Sequence, residues 1–218
     1  MLSKRLLALC DLVEPGTKVA DIGCDHGLLS IHLMQTGKAA GVVACDINEG
    51  PLQVAERNIK RFGCKGIELR LGDGLSRIEP GEVQTVIIAG MGGELIAQII
   101  EAAPFLQSRE YTLLLQPMSR AYELRRYLAQ HGFSIVRELA VRDKRLYTVL
   151  QVGYTGKPCV PDSAFCAFGA LQPEEPDAAA YIARIKRNAA ACLQQIERCG
   201  GTEEKARILK EILEHEWR

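Results

Sequence analysis

The sequence predicts an α/β protein: five parallel strands, a terminal antiparallel hairpin, and a small helical domain behind them. Three observations predict it. From Lys18 to Gln130, strand-like and helix-like runs alternate, the signature of a parallel sheet with helical crossovers. Two further strand runs are then separated only by Asp143-Lys144-Arg145, too few residues for a crossover, so they must pair antiparallel. From Ala178 onward the pattern is helical throughout. Composition agrees: 218 residues, 47% hydrophobic, 25% charged, with 27 Lys+Arg balancing 27 Asp+Glu. Those are globular values. They exclude a disordered chain, and the zero net charge excludes a generic polycation.

Each element has its own warrant. Leu2 to Val13 is amphipathic and stops at Pro15-Gly16. Lys18 to Ile22 reads as a buried strand, and Gly27 to Gln35 as a helix closed by Gly37. Ala40 to Cys45 is the second strand; Pro51 sits in the first turn of a helix reaching Arg61. Ile67 to Leu71 and the β-branched run Val83 to Ala89 are the third and fourth strands. Glu94 to Ala102 is helical and halts before Pro104; Thr112 to Leu115 is the fifth strand. Ala121 to Gln130 is a helix stopped by Gly132, and Phe133 to Arg142 with Leu146 to Tyr154 form the hairpin. A hairpin in this place is a recurring mark of the class I methyltransferase, Rossmann-like sheet, an analogy of fold alone.

Residues 157–176 hold four of the nine prolines and read as a linker. Ile182, Ile185, Ala189, Cys192, Ile196 and Cys199 then step by three and four, a coiled-coil seam. Gly200-Gly201 breaks it, Thr202 is placed to cap a new helix, and Glu203 to Trp217 returns as that second helix. The expected division is residues 1–156 for the sheet domain and 157–218 for linker and C-terminal α-helical coiled-coil hairpin.

The eight cysteines include no C-x-x-C pair and none at zinc-ligand distance from a histidine. Reduced, buried thiols are expected, and no metal site. No apolar run approaches the ~20 residues of a membrane span. The N-terminal run Leu6 to Cys10 stops at Asp11, short of a signal-peptide core. The expectation is a cytoplasmic protein without membrane contact, with a monomer favoured and dimerisation through the helical hairpin left open.

The strongest chemical feature is Asp21-Ile22-Gly23-Cys24-Asp25-His26-Gly27, between the first strand and its helix. Gly23 and Gly27 let the backbone bend and a ligand come close. Carboxylates at Asp21 and Asp25 would repel a pyrophosphate and attract a ligand bearing an ammonium and a sulfonium. S-adenosyl-L-methionine bears both; an ordinary glycine turn is the alternative. Asp46, followed by Ile47 and Asn48, ends the second strand, where an acid can accept from ribose hydroxyls or cap a helix. Gly72-Asp73-Gly74 follows the third strand, and its carboxylate can take an adenine amino group or form a plain turn. Ala89-Gly90-Met91-Gly92-Gly93 follows the fourth and offers backbone groups, the first three to a cofactor and Gly92 and Gly93 to a substrate base. Gln116-Pro117, after the fifth strand, adds an amide at the same rim, unless the glutamine is buried to tie a loop. All lie at carboxyl ends of consecutive strands, where open α/β sheets bind ligands.

D-I-G-C-D-H-G (21–27), the Asp46 strand end, G-D-G-L (72–75), I-A-G-M-G-G (88–93) and L-Q-P (115–117) closely resemble the bacterial tRNA (adenine(22)-N(1))-methyltransferase family. The terminal helical hairpin is similar to that family's second domain, and the resemblance covers essentially the whole chain. Related sequences often carry an aromatic after the position of Gly27 and a proline two further on; Leu28 and Ser30 stand here instead. The resemblance implies methyl transfer from S-adenosyl-L-methionine to N1 of adenine 22 in the tRNA D-arm. Adenine N1 has a lone pair and no proton, so alignment and electrostatics matter more than a general base. The product ring is cationic, which makes Asp25 the first catalytic candidate, with His26 beside it for positioning. Asp25 serving only the cofactor's methionine end remains open. N1 lies on the Watson–Crick edge, so the base must be unpaired or flipped.

The RNA needs cations. Arg120, Arg125, Arg126, Arg142, Lys144 and Arg145 are the expected phosphate contacts. Arg57 to Lys65 is a second basic run. For the helical hairpin, phosphate binding and a solvated face weigh equally. Two other functions stay in view: a class I methyltransferase with another substrate, and a non-catalytic nucleotide- or RNA-binding module.

Overall fold

The computed structural model describes residues 2–217. Its elements in chain order are α1 (Lys4–Leu12), β1 (Thr17–Ile22), α2 (Leu28–Gln35), β2 (Ala39–Asp46), α3 (Glu49–Arg61), β3 (Ile67–Leu71), β4 (Thr85–Gly92), α4 (Gly93–Glu101), β5 (Thr112–Ser119), α5 (Ala121–Gln130), β6 (Phe133–Arg142), β7 (Leu146–Tyr154), α6 (Ser163–Phe168), α7 (Pro176–Cys199) and α8 (Glu203–Glu214). The seven strands form one sheet in the order β3-β2-β1-β4-β5-β7-β6. β1 to β5 are parallel neighbours, and β7 slots antiparallel between β5 and β6. The expected fold class, a class I methyltransferase sheet with a helical C-terminal region, is the observed one.

Alternation along the central strands sends side chains to two apolar layers, as a sheet covered on both faces requires. In β1, Val19 joins the layer under α1 and α2, while Ala20 and Ile22 join the layer under α4 and α5. In β4, Ile87 faces the first layer and Val86 and Ile88 the second. β4 and β5 run further than their apolar residues predict. The ladder continues through Met91↔Pro117 and Gly92↔Ser119 across two register shifts, because backbone pairing needs no apolar side chain. Residues expected in a loop therefore form the rim of the sheet itself.

The C-terminal part departs from expectation in two ways. The stretch read as a linker contains α6, capped by Asp162, whose carboxylate accepts from the Phe165 amide at 2.6 Å. The flanking prolines masked this short helix. The hairpin of α7 and α8 is antiparallel: Lys186 donates to the carbonyls of Leu213 and His215. Its seam, though, is shared rather than closed on itself. Ile182 and Ala189 pack with Ala164, Ala167 and Phe168 of α6 and with Ala140 of β6, while Cys199 is exposed. The two-stranded coiled coil is thus better described as a helical cluster seated on the sheet.

That seat corrects one assignment. Arg125, expected at phosphates, is fully buried. Its Nη2 lies 2.6 Å from Glu138 Oε1, and its Nη1 donates to the carbonyls of Cys166 and Ala167 at 2.9 Å. Glu138 also accepts from the Ala170 amide. One guanidinium joins α5, β6 and α6, and its charge never reaches solvent; the sequence count of basic residues could not separate it from its surface neighbours.

Candidate functional site

Where β1 ends, Gly23 takes a left-handed turn (φ +73°), and a Cβ there would strike the Met91 methyl. The Gly23 and Cys24 amides both donate to the Cys45 carbonyl, at 2.8 and 3.0 Å, which ties the loop across β2. The Asp46 carboxylate completes the tie. It accepts from the Asp25 amide at 3.2 Å and from the Asn48 amide at 3.0 Å, while the Asp46 carbonyl accepts from Gly72. One aspartate thus holds the loops after β1, β2 and β3 in register.

These loops enclose a cavity of about 510 Å³, within the usual range for a small-molecule site. Asp21, Asp25, Asp46 and Asp73 line it, together with Gly23, Cys24, His26, Ile47 and Asn48. Gly72 and Gly74 close one side, and Ala89, Gly90 and Met91 another. Gly27 is not part of the lining: a Cβ there would meet the Ala55 Cβ at 3.0 Å, so it sets the packing of α2 on α3 instead. Asp21 is buried and accepts from Ser30 Oγ at 2.6 Å. Burial pushes its carboxyl up to about 6; the Asp46 charge adds to the rise and the Ser30 hydroxyl opposes it. Asp25 is a different carboxylate: 73% of its side chain is exposed, its backbone is left-handed (φ +51°), and His26 Nε2 stands 3.5 Å away. The four acids make the cavity a trap for a positively charged ligand of moderate size.

The cavity also has members that the sequence did not disclose. Arg5 and Leu6 come from α1, Leu28 and Leu29 from α2, and Leu95 and Ile99 from α4. Arg5 Nη1 donates to Gln116 Oε1 at 2.6 Å, its guanidinium lies over the Tyr147 ring at 5.9 Å, and a Cβ on Gly90 would approach it to 3.7 Å. Only tertiary docking brings α1 to this rim, so no local pattern marks Arg5. Ser30 carries the hydroxyl that donates to Asp21.

The expected substrate contacts divide. Gln116 is fully buried; its Nε2 donates to the Pro117 carbonyl, so it ties the rim rather than facing a base. Gly93 is buried where a Cβ would strike the Arg120 carbonyl, so it spaces α4 from α5; Gly92 lies beside Ser119. Pro117 is buried. Arg120 pairs with Glu123 at 3.0 Å, and Arg142 with Asp177 of α7 at 3.0 Å. Arg126, Lys144 and Arg145 carry no carboxylate partner among the ion pairs of the described residues, and Lys144 and Arg145 sit in the tight turn between β6 and β7. The described residues contain no group of three His, Cys, Asp or Glu arranged for a metal. All eight cysteines are free, and burial raises the Cys10, Cys24 and Cys45 thiols far above neutral pH, which leaves them protonated and inert.

Comparison with known proteins places this geometry in context. A family model described as a methyltransferase domain matches residues 2–150. The tRNA (adenine(22)-N(1))-methyltransferase of Bacillus subtilis (strain 168) is 31% identical over 220 residues, spanning 97% of this chain and 92% of that protein. The crystal structure of the B. subtilis M1A22 tRNA methyltransferase TrmK superposes with a TM-score of 0.84 at 29% identity, covering 98% of this chain and 99% of that one. M. capricolum TrmK, solved in complex with S-adenosyl-homocysteine, superposes with a TM-score of 0.79 at 26% identity, over 97% of this chain and 95% of that one.

Proposed function

The chain belongs to the bacterial tRNA (adenine(22)-N(1))-methyltransferase family, and from that premise we propose that it methylates N1 of adenine 22 in tRNA, with S-adenosyl-L-methionine as cofactor. One observation carries the reading: a carboxylate-lined cavity of cofactor size, formed by the carboxyl ends of four adjacent strands, in a chain similar to that family along almost its whole length. When bound, the cofactor supplies an electrophilic methyl on a sulfonium centre.

The residues present fit that group. Asp21 and Asp25 offer negative charge to its ammonium and sulfonium. Asp46 spends one lone pair on each of two amides and keeps others for ribose hydroxyls. Asp73, at the far side, suits an adenine amino group. A side chain at Gly23 would displace Met91, which lines the cavity.

Adenine N1 brings its own lone pair, so the chain supplies orientation and charge stabilisation rather than a base. The exposed Asp25 carboxylate opposes the positive charge that develops on the methylated ring, and His26 limits its rotation. Arg5 fixes Gln116 and shapes the entrance. Arg126, Lys144 and Arg145 serve as phosphate contacts around the rim, and Arg120 and Arg142 strengthen the field despite their partners. Eight unpaired thiols fit a cytoplasmic setting.

The test is one assay on unmodified tRNAs carrying either adenine or guanine at position 22, followed by digestion to nucleosides. 1-Methyladenosine should form only with adenine. Methyl incorporation into another nucleoside would overturn the substrate assignment, and none at all would overturn the activity. Asp25→Ala should cut turnover at least about a hundredfold while the protein still binds S-adenosyl-homocysteine; near-normal turnover would remove Asp25 from the chemistry.

A further inference from the structure

A second cavity, of about 690 Å³, lies between the rim of the sheet and the helical cluster. Its walls come from the end of β5 and the start of α5, from the start of β7, and from α7 and α8. It is a neighbour of the first cavity. Arg5, which lines the first, lies over the Tyr147 ring, which lines the second. Gln116, held by Arg5, is followed directly by Pro117, another wall of the second.

The charge inside is one-sided. Arg120, Arg125 and Arg184 line the cavity against one acid, Glu123. Arg125 is neutralised by Glu138 and Arg120 is paired with Glu123. Arg184 has no carboxylate partner among the described residues, and its guanidinium is held 4.8 Å over the Tyr181 ring. A second observation points the same way. Thr148 lines the cavity, is only 2% exposed, and its hydroxyl has no hydrogen-bond partner among the described residues. Buried hydroxyls are almost always paired; this one is closed into the cavity wall and meets an occupant only if its side chain rotates. Met118, 43% exposed, and the Asn188 amide also line it. An unpaired guanidinium, an aromatic ring beside a partly exposed methionine, and a free amide at one place match the three parts of a nucleotide: phosphate, base face and base edge.

We propose that this cavity receives a second nucleotide of the RNA substrate, one flanking the methylated adenine, with its phosphate at Arg184 and its base against Met118 and Tyr147. The inference rests on the proposed methyltransferase activity. RNA lying across the rim would then be gripped at two adjacent points, one in each cavity, and the helical cluster would act as the second jaw.

The experiment measures methylation kinetics on full-length tRNA with the full chain and four variants: Arg184→Glu, Arg184→Gln, Thr148→Val and Asn188→Arg. Arg184→Glu should raise the KM for tRNA roughly tenfold and lower the slope of log affinity against log salt by about one, with the KM for S-adenosyl-L-methionine unchanged. Arg184→Gln keeps the stem packed on Tyr181 and should give a smaller rise. Thr148→Val should raise the KM for tRNA without loss of thermal stability. Asn188→Arg adds a cation at the lip and should lower the KM, a gain that misfolding cannot produce. A wild-type KM and salt slope in both Arg184 variants, with no gain in Asn188→Arg, would overturn the proposal; an interface for a protein partner would give that result. Because those variants would still form 1-methyladenosine, the methyltransferase reading would stand. Failure of the wild-type protein to form it would remove both.

Discussion

Asp21 and Asp25 stand four residues apart and behave as different acids, and burial is the cause. Asp21 lies under the loop with Ser30 as its only side-chain donor among the described residues, and burial pushes its carboxyl up to about 6. At pH 5 the folded protein holds a proton there that the unfolded chain has largely released. The ligand-free protein therefore gains stability as pH falls from about 6 toward the ordinary carboxylate value, and loses it as pH rises through about 6. A cationic cofactor reverses the preference, because it favours the ionised form. Affinity for S-adenosyl-L-methionine should climb between pH 5 and 7 and then level off, as calorimetry across that range would show. A flat profile would take Asp21 out of cofactor binding. Asp21→Asn keeps an acceptor for Ser30 and removes the charge. It should raise the unfolding midpoint of the ligand-free protein above neutral pH while weakening cofactor binding by roughly tenfold or more, about 1.4 kcal/mol per tenfold.

At the scale of elements, the Arg125–Glu138 pair decides how α5, β6 and α6 meet. Arg125→Ala would leave Glu138 buried and uncompensated and would strand two carbonyls of α6, at a cost of roughly 3–5 kcal/mol. Urea denaturation should show this as a shifted midpoint. The double variant Arg125→Met, Glu138→Leu should recover part of the loss and no more, since the Cys166 and Ala167 carbonyls and the Ala170 amide stay unpaired. Full recovery would mean that the pair contributes nothing beyond its own charges. This pair also marks where sequence stops being informative. Strand and helix periodicity, with glycine stops, disclosed nearly every element of the sheet, because those signals are local. The acids of the first cavity were legible for the same reason, since each lies at or just beyond the end of a strand. Arg5 and the burial of Arg125 were not, because each depends on elements distant in the chain coming together, and the short helix α6 was masked by the prolines around it.

For the molecule as a whole, the helical cluster is not an appendage. Its apolar residues cover Tyr122, Ala140 and Leu146, and its α6 carbonyls complete the shell of Arg125. Truncation after Gly156 would uncover a buried ion pair, which makes it a poor way to isolate RNA binding. We expect the intact chain to unfold in a single calorimetric transition and the truncated one to melt at a clearly lower temperature. Two resolved transitions in the intact chain would establish independent domains instead. The balance of 27 acids and 27 bases has a spatial meaning as well. Acids gather inside the first cavity, while Arg126, Lys144 and Arg145 remain outside it.

The strand order itself has a consequence for how the protein behaves in a crowded solution. A seven-stranded open sheet presents two unpaired borders, and such borders are templates on which further strands from other molecules can add. Here neither is a good template. β3 is five residues long and carries Glu68 and Arg70, which are engaged with each other. β6 has an extra residue, Val136, at its register shift, which kinks the ladder, and near its end the Arg142 amide is already occupied by Asp177 of α7. The helix that walls the second cavity thus also occupies one amide of this border. Asp177→Ala would free that amide and lengthen the stretch of border on which a strand from another molecule can add.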